Sequence, residues 1–173
     1  MAIDAFVLPQ DLITYLGADY ISHMTCFHLN VRSAKSEAVD LELLFDQFGF
    51  SFDVIMLTET WYTEETDVLQ LPTYRSFYIN RKEKRGGGLA ILTKSVSGEV
   101  IGDYSCITQD YEMMCIRNNQ NIFAVVYRPP NGNIESFLKF FESFLVFVNE
   151  EKCNVICGGD FNIDMSAETV AKK

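Results

Sequence analysis

The sequence predicts an α/β domain in which mixed β-sheets and helices pack in layers. Short apolar runs typical of strands outnumber helical segments, and helices separate some of these runs, a pattern that favours a layered α/β fold. The run at residues 53–58 (DVIMLT) is almost continuously apolar, as expected of a strand buried on both faces. With 173 residues, 48% hydrophobic and 13% aromatic, the chain can form one domain with a substantial core.

Three segments carry apolar residues at helical spacing, at residues 8–20, 34–48 and 134–148. In the first of them, Pro9 suits a first helical turn and Gly17 suits a helix end. We assign residues 1–21 to a leader with a short helix outside the domain, and residues 22–173 to the domain.

The other apolar runs predict strands because polar or Gly- and Pro-containing turns bound them. Residues 118–120 (NNQ) form one such turn, and residues 129–132 (PPNG) separate a strand from the third helix. The seven predicted strands lie at residues 23–30, 53–58, 74–80, 87–93, 111–117, 121–127 and 153–158.

The net charge of −10 limits how the chain can meet nucleic acid. Unaided binding needs Lys and Arg at the phosphates, so this charge argues against it, but an enzyme can meet phosphate through a bound cation. The one basic cluster, residues 81–85 (RKEKR), has two open interpretations. It is either a solvated hairpin loop or a contact to a phosphate backbone.

Cysteine usage and the length of the apolar runs indicate an intracellular protein. The five scattered cysteines form no zinc-binding set, and an odd, unclustered number suits a reducing compartment. Cys153 and Cys157 lie in an apolar run and are predicted to be ordinary buried thiols. No run approaches the roughly 18 apolar residues of a membrane helix, and the acidic N-terminus does not resemble a signal peptide. The sequence shows no targeting motif.

Polar side chains follow several predicted strands, where binding and catalytic groups tend to lie. A carboxylate directly after residues 53–58 needs a partner or a metal if it is buried. An extended segment at residues 160–162 would point its first and last side chains the same way. Each of these side chains also has a purely structural explanation: it could end a strand, cap a helix, be an aromatic in contact with water, or belong to a Gly/Asp/Asn turn. The side chains so placed are Asn30, Glu59, Tyr127, Asp160 and Asn162.

The order of these motifs resembles a known family. The series LNVRS, FDVIMLTETW, RGGGLAI, VYRPP and GGDFN is similar to the endonuclease/exonuclease/phosphatase superfamily. More closely, it resembles the apurinic-type endonuclease domain of non-LTR (LINE-like) retrotransposons, from about residue 24 to residue 162. The resemblance implies a four-layered α/β sandwich, two packed mixed sheets flanked by helices, with the site at the strand-end rim.

The resemblance also implies a role for each of these residues. Glu59 would be the main ligand of a divalent metal, Mg²⁺ or Mn²⁺, with Asn30 helping to order it. Asp160 would orient or deprotonate the attacking water, and Asn162 would bond a non-bridging phosphate oxygen. Tyr127 would contact the phosphate or help to position the leaving group.

The implied activity is nicking of target DNA for a retrotransposon. The implied partners are DNA and a reverse transcriptase domain of the same polyprotein, which this sequence lacks, with no membrane partner. That role would place the chain in the nucleus. Abasic DNA, RNA tails, nucleotides and inositol phosphates are the competing substrates within the superfamily.

The sequence departs from the family after Asn162. The family closes with a Ser-Asp-His motif, and no histidine follows Asn162 here. We do not assign that role to His28, two residues before Asn30. The chain is therefore expected to hold the N-terminal two-thirds of the domain, with the C-terminal part missing, marginal stability and greatly reduced catalysis. The alternative is an inactive, truncated relic that retains at most metal or partner binding.

Overall fold

The computed structural model describes residues 11–12, 14, 23–34, 38–63, 68–81, 86–94 and 97–163. The helices in these ranges include α1 (Ala38–Gln47) and α2 (Ile134–Glu150). A 3-10 turn, Gly102–Tyr104, lies between two short strands. The strands are β1 (Cys26–Asn30), β2 (Val54–Thr58), β3 (Arg75–Ile79), β4 (Leu89–Thr93), β5 (Glu99–Val100), β6 (Cys106–Ile107), β7 (Glu112–Asn118), β8 (Asn121–Tyr127) and β9 (Asn154–Asp160).

These strands form two mixed sheets. The first has the order β1-β2-β4-β3, with β1 parallel to β2 and the other neighbours antiparallel. The second has the order β5-β7-β8-β9, with β6 also paired to β7. Only β8 and β9 run parallel among the pairs of this second sheet that the structure describes. Each sheet therefore contains a parallel pair at one edge, β1 with β2 and β8 with β9.

Three apolar clusters show that the architecture has four layers. Because side chains alternate across a strand, Ile55 and Leu57 of β2 join a cluster with Leu41 of α1, whereas Val54 and Met56 join a cluster between the sheets. A third cluster fills the space between the second sheet and α2. The predicted four-layered α/β sandwich is confirmed.

The central strands of both sheets are buried on both faces, which explains their continuous apolar runs. All five residues of β2 and of β4 are buried, and so are most residues of β7 and β8. The edge strands β1 and β9 keep part of their surface exposed. The last strand, in whose run buried cysteines were predicted, is partly exposed because β9 forms one edge of the second sheet in the described part of the chain.

Helix α2 begins where the side chain of Asn133 accepts a hydrogen bond from the backbone N–H of Ser136, at 2.9 Å. This cap satisfies one of the free N–H groups of the first turn. The helix then buries Phe137, Phe144 and Val148 against the second sheet. None of the helices in the described ranges has both the length and the apolar character needed to cross a membrane.

The predicted elements differ from the structure mainly at their ends. The predicted helix at 34–48 is described as helical from Ala38 to Gln47, and residues 35–37 lie outside the described ranges. The two-residue strands β5 and β6 were not predicted, because two residues carry no readable periodicity. The predicted last strand, 153–158, extends to Asp160.

The leader lies mostly outside the described residues. Of the predicted helix at 8–20, only Asp11, Leu12 and Thr14 are described, and they have helical geometry. Leu12 packs against the cluster between α1 and the first sheet. The boundary between a leader at 1–21 and a domain at 22–173 stays a prediction.

All five cysteines are free thiols. Cys115 is fully buried, but Cys153 and Cys157 are half-buried, not buried as predicted, since they belong to the edge of the second sheet. Burial still raises the pKa of the Cys157 thiol to about 11.

Candidate active site

Three polar residues from separate parts of the chain meet at one edge of the sandwich. Asn30 ends β1, Glu59 follows β2 directly, and Asp160 ends β9. The side-chain amide nitrogen of Asn30 donates to Glu59 Oε1 at 2.7 Å and to Asp160 Oδ2 at 2.9 Å. One amide thus connects a carboxylate of the first sheet to a carboxylate of the second.

The orientation of the Asn30 amide follows from its neighbours. Its oxygen accepts a hydrogen bond from the backbone N–H of Arg32 at 3.3 Å, and its NH₂ group faces the two carboxylates. An amide nitrogen has two hydrogens, so it can donate one to each carboxylate. In this geometry Asn30 separates two negative charges and fixes their distance.

Glu59 lies on a constrained loop. The backbone φ angles of Glu59 (56°) and Trp61 (55°) lie in the left-handed region, which residues other than glycine seldom adopt. The carbonyl of Glu59 accepts from Ser33 N–H at 2.8 Å, and Trp61 N–H donates to the Gly87 carbonyl at 3.0 Å. The loop is therefore held between the segment after β1 and the glycines before β4.

The glycine segment is itself anchored by a buried ion pair that the sequence did not predict. Glu112, at the start of β7, is 0% exposed, and its carboxylate accepts hydrogen bonds from Arg81 Nε and, at 2.7 Å, from the backbone N–H of Gly88. A Cβ at Gly87 would overlap both Arg81 and Glu112, and one at Gly88 would lie 2.7 Å from Thr60 Oγ1. Glycines are required here because the two loops and the ion pair leave no room for a side chain.

This contact corrects one interpretation of the basic cluster at 81–85. The Arg81 side chain is only 22% exposed and pairs with Glu112, so it is not a solvated loop residue. Residues 82–85 lie outside the described ranges. Burial raises the pKa of the Glu112 carboxyl, and the charge of Arg81 and the Gly88 N–H oppose that rise. The signal was present, since Glu112 precedes the apolar run MMCI and a carboxylate in a buried strand needs a partner.

Tyr127 extends from the end of β8 toward Glu59. Tyr127 is 8% exposed. Burial, the charge of Glu59 and a hydrogen bond to Glu59 together raise the pKa of Tyr127 to about 12. The phenol therefore stays protonated at neutral pH, with the Glu59 carboxylate close by.

A glycine on β9 allows the two sheets to approach near Asp160. A Cβ at Gly158 would lie 3.0 Å from Met56 Sδ and 3.6 Å from His28 Cβ, both on the first sheet. His28 Nε2 lies 3.4 Å from Thr58 Oγ1. Burial lowers the pKa of His28, and the charge of Asp160 opposes that change. The absence of a side chain at Gly158 lets β9 bring Asp160 within reach of Asn30.

Asn162 does not share the direction of Asp160. Asp160 is still in β9, but Asn162 has a left-handed φ of 48°, so the extended segment predicted for residues 160–162 ends before Asn162. The Asn162 amide nitrogen donates to the Arg128 carbonyl at 2.8 Å. Arg128, which the sequence did not single out, is 3% exposed.

The structure thus joins Asn30, Glu59 and Asp160 through hydrogen bonds, with Tyr127 close to Glu59, and places Asn162 next to them through Arg128. In the part of the chain that the structure describes, no group of three or more His, Cys, Asp or Glu side chains is arranged to hold a metal ion. The site offers two carboxylates and one amide.

Comparison with known proteins agrees with this geometry. The profile of the Endonuclease/Exonuclease/phosphatase family matches residues 27–172. The chain belongs to this family. The sequence-based prediction of the family is therefore confirmed. No curated protein sequence matches the chain significantly.

Several solved structures share the fold at low sequence identity. An AP endonuclease from Archaeoglobus fulgidus has a TM-score of 0.60 and 14% identity, over 82% of this chain and 58% of the other. The endonuclease domain of TRAS1, a telomere-specific non-LTR retrotransposon, gives 0.54 and 16%, over 83% and 62%. The 3′ phosphatase NExo from Neisseria, bound to a product DNA hairpin, gives 0.55 and 16%, over 82% and 58%. The chain spans less than two thirds of the length of each.

Proposed function

We propose that this chain carries the site of a metal-dependent phosphodiesterase that nicks DNA for a LINE-like retrotransposon. The observation that carries the proposal is the pair of hydrogen bonds from the Asn30 amide to Glu59 and Asp160. They bring into one place two carboxylates that lie about a hundred residues apart in the sequence. Membership of the endonuclease/exonuclease/phosphatase family supports hydrolysis of a phosphate ester as the class of reaction.

The donor set fits a hard divalent cation. Mg²⁺ is usually held by one or two carboxylates, with water and substrate phosphate completing its shell. Glu59 would be the principal ligand, and Asn30 would fix the Glu59 carboxylate in position through its 2.7 Å hydrogen bond. Mn²⁺ has the same preference for oxygen ligands. When bound, the cation would supply positive charge that offsets the charge of the phosphate in the transition state.

The other residues have roles that follow from their contacts. Asp160, fixed by the 2.9 Å bond from Asn30, would orient a water molecule and accept its proton. Tyr127, protonated at neutral pH, would offer a hydrogen to a phosphate oxygen or to the leaving group. Asn162 has two amide hydrogens, so its bond to the Arg128 carbonyl leaves one for a non-bridging phosphate oxygen.

DNA is the substrate that we favour. The structures that share the fold include an AP endonuclease, a retrotransposon endonuclease domain and an enzyme bound to a DNA hairpin. The motif order of this chain is similar to that of retrotransposon endonucleases. A polyprotein with a reverse transcriptase domain and action in the nucleus belong to this proposal. Abasic DNA, RNA tails, nucleotides and inositol phosphates are the substrates to compare.

The test is nicking of supercoiled plasmid in the presence of Mg²⁺. We would compare the wild-type chain with Glu59→Gln and Asp160→Asn, and use Glu99→Gln on the exposed strand β5 as the control. Loss of a positioned base lowers rates by roughly 10²–10⁴-fold, so nicking by Asp160→Asn should fall by at least about 100-fold. Glu59→Gln should lose nicking with its metal ligand, while the control stays active. Nicking that persists in either site variant would contradict the proposal. No nicking by wild type, with metal binding retained, would favour an inactive relic of the domain.

A further inference from the structure

Arg128 combines burial with an unusual set of partners. It follows Tyr127 directly and is 3% exposed. Its guanidinium donates to the backbone carbonyls of Phe161 at 2.8 Å, Pro129 at 3.2 Å and Gly132 at 2.6 Å, and to that of Asn162. Among the described residues, no carboxylate forms an ion pair with it. Burying a cation without a carboxylate partner is costly, so the presence of an arginine here indicates that the planar arrangement of its N–H donors has a role.

The four carbonyls belong to two loops that border the site. Pro129 and Gly132 lie in the loop between β8 and α2, whereas Phe161 and Asn162 follow β9. Only a planar group with several donors can bond both loops at once, which a lysine ammonium on its flexible stem does not do. The Arg128 side chain therefore fixes the distance between the end of β8 and the segment after β9.

The backbone of Arg128 adds two more bonds to the same segment. Its N–H donates to the Asp160 carbonyl at 2.9 Å, and its carbonyl accepts from Asn162 Nδ2 at 2.8 Å. Asp160 lies opposite Tyr127 in the register of β8 and β9. One residue thus holds the Asp-Phe-Asn segment through its N–H, its carbonyl and its guanidinium, and the Asp160 carboxylate reaches Asn30 from that segment.

We propose that Arg128 is a positioning residue that places Asp160 and Asn162 against Asn30 and Tyr127. It acts through the backbone of residues 160–162 and does not touch the reacting atoms. This role deepens the proposed function and rests on it for its catalytic meaning. The positioning itself is a property of the folded chain, and it can be measured with no metal and no substrate present.

Two variants distinguish the effect of the planar guanidinium of Arg128 from the effect of its positive charge. Arg128→Lys keeps the positive charge but cannot bond two loops, and Arg128→Met removes the charge at similar length. The control is Arg117→Lys, on β7 of the same sheet, where the guanidinium makes an exposed ion pair with Glu151 at 2.8 Å. The backbone amide spectrum of each variant reports whether it folds.

The reporter is the side-chain amide of Asn30, whose hydrogens both bond carboxylates. In a ¹⁵N-correlated NMR spectrum, the Asn30 side-chain signal is identified as the one that is missing from the spectrum of Asn30→Asp. We expect this signal to be displaced downfield in wild type and in Arg117→Lys, and to lose that displacement in Arg128→Lys and Arg128→Met. A folded Arg128 variant with an unchanged Asn30 signal would overturn the proposal.

Measurements on the wild-type chain keep the proposal testable if both Arg128 variants unfold. The Nε–H of Arg128 should show a scalar coupling across its hydrogen bond to the Phe161 carbonyl, and its terminal N–H groups should not average by rotation. Free rotation with no coupling would overturn the proposal. If wild type nicks plasmid, Arg128→Lys should lower kcat more than it raises KM, because geometry for the reacting step is lost. A wild-type chain that gives the NMR result but does not nick would remove the proposed function and leave the positioning role.

Discussion

Removal of the Glu112 side chain should destabilise the protein although Glu112 lies outside the predicted site. In Glu112→Ala, Arg81 loses its partner, and the Gly88 N–H loses an acceptor at 2.7 Å. Because the Arg81 side chain is only 22% exposed, its guanidinium would stay largely buried without a carboxylate to balance its charge. The loop that carries Glu59 would also lose support, because Trp61 N–H bonds the Gly87 carbonyl at 3.0 Å.

The size of the effect follows from the burial of the pair. Removing one partner of a buried ion pair costs about 3–5 kcal/mol, and the partial exposure of Arg81 places the cost near the lower end, about 3 kcal/mol. For a domain of this length, 1 kcal/mol changes Tm by about 2–4 °C, so the expected decrease is about 6–12 °C. The double variant Glu112→Leu with Arg81→Met should recover part of this loss, since it leaves no unpaired charge.

The assay is thermal unfolding followed by circular dichroism. Glu151→Ala is the matched control, because it breaks an ion pair of similar chemistry with Arg117 whose side chains are 35% and 44% exposed. Such exposed pairs contribute about 0–1 kcal/mol, so the control should stay within about 4 °C of wild type. If Glu112→Ala melts within the range of this control, the buried pair does not anchor the glycine segment and the reasoning is refuted.

Three further predictions concern other parts of the structure. Gly158→Ala places a Cβ 3.0 Å from Met56 Sδ and should cost about 1–3 kcal/mol, measured by urea unfolding; unchanged stability would show that the sheets are not closely packed there. Tyr127→Phe removes a phenol whose pKa is raised from 10 to about 12, so the stability of wild type relative to this variant should be constant below pH 10 and fall as pH rises toward 12. Urea unfolding of both proteins between pH 9 and 12 tests this. A stability advantage of wild type over Tyr127→Phe that grows with pH would contradict the prediction. Asn133→Ala removes the hydrogen bond to Ser136 N–H and should cost about 1 kcal/mol in a thermal melt, with nicking unaffected.

The strands could be predicted from the sequence because their burial produces a local pattern. In β2, four consecutive apolar residues face two different clusters, so the whole run is apolar. Glu59 could be singled out for the same reason, since a carboxylate after a buried strand requires a partner. The end of β9 was predicted two residues too early because Gly-Gly-Asp has the composition of a turn, whereas the strand continues to Asp160 and Gly158 serves close packing between the sheets.

The contacts across the sandwich could not be predicted from spacing. Asn30 and Asp160 are separated by 130 residues, and their 2.9 Å contact depends on how two sheets stack. The resemblance to a family, not local pattern, placed them together. Arg128 was missed because all four partners of its guanidinium are backbone carbonyls, which have no signature in the sequence.

The central claim is that Glu59, held in place by Asn30, is the principal ligand of a divalent cation next to Asp160. Titration with Mn²⁺, followed by electron paramagnetic resonance, tests this directly and does not depend on the rate of nicking. We expect one bound Mn²⁺ in wild type, in Glu99→Gln and in Asp160→Asn, and its loss in Glu59→Gln. Mn²⁺ binding that is unchanged in Glu59→Gln, or absent from the folded wild-type chain, would contradict the proposed metal site.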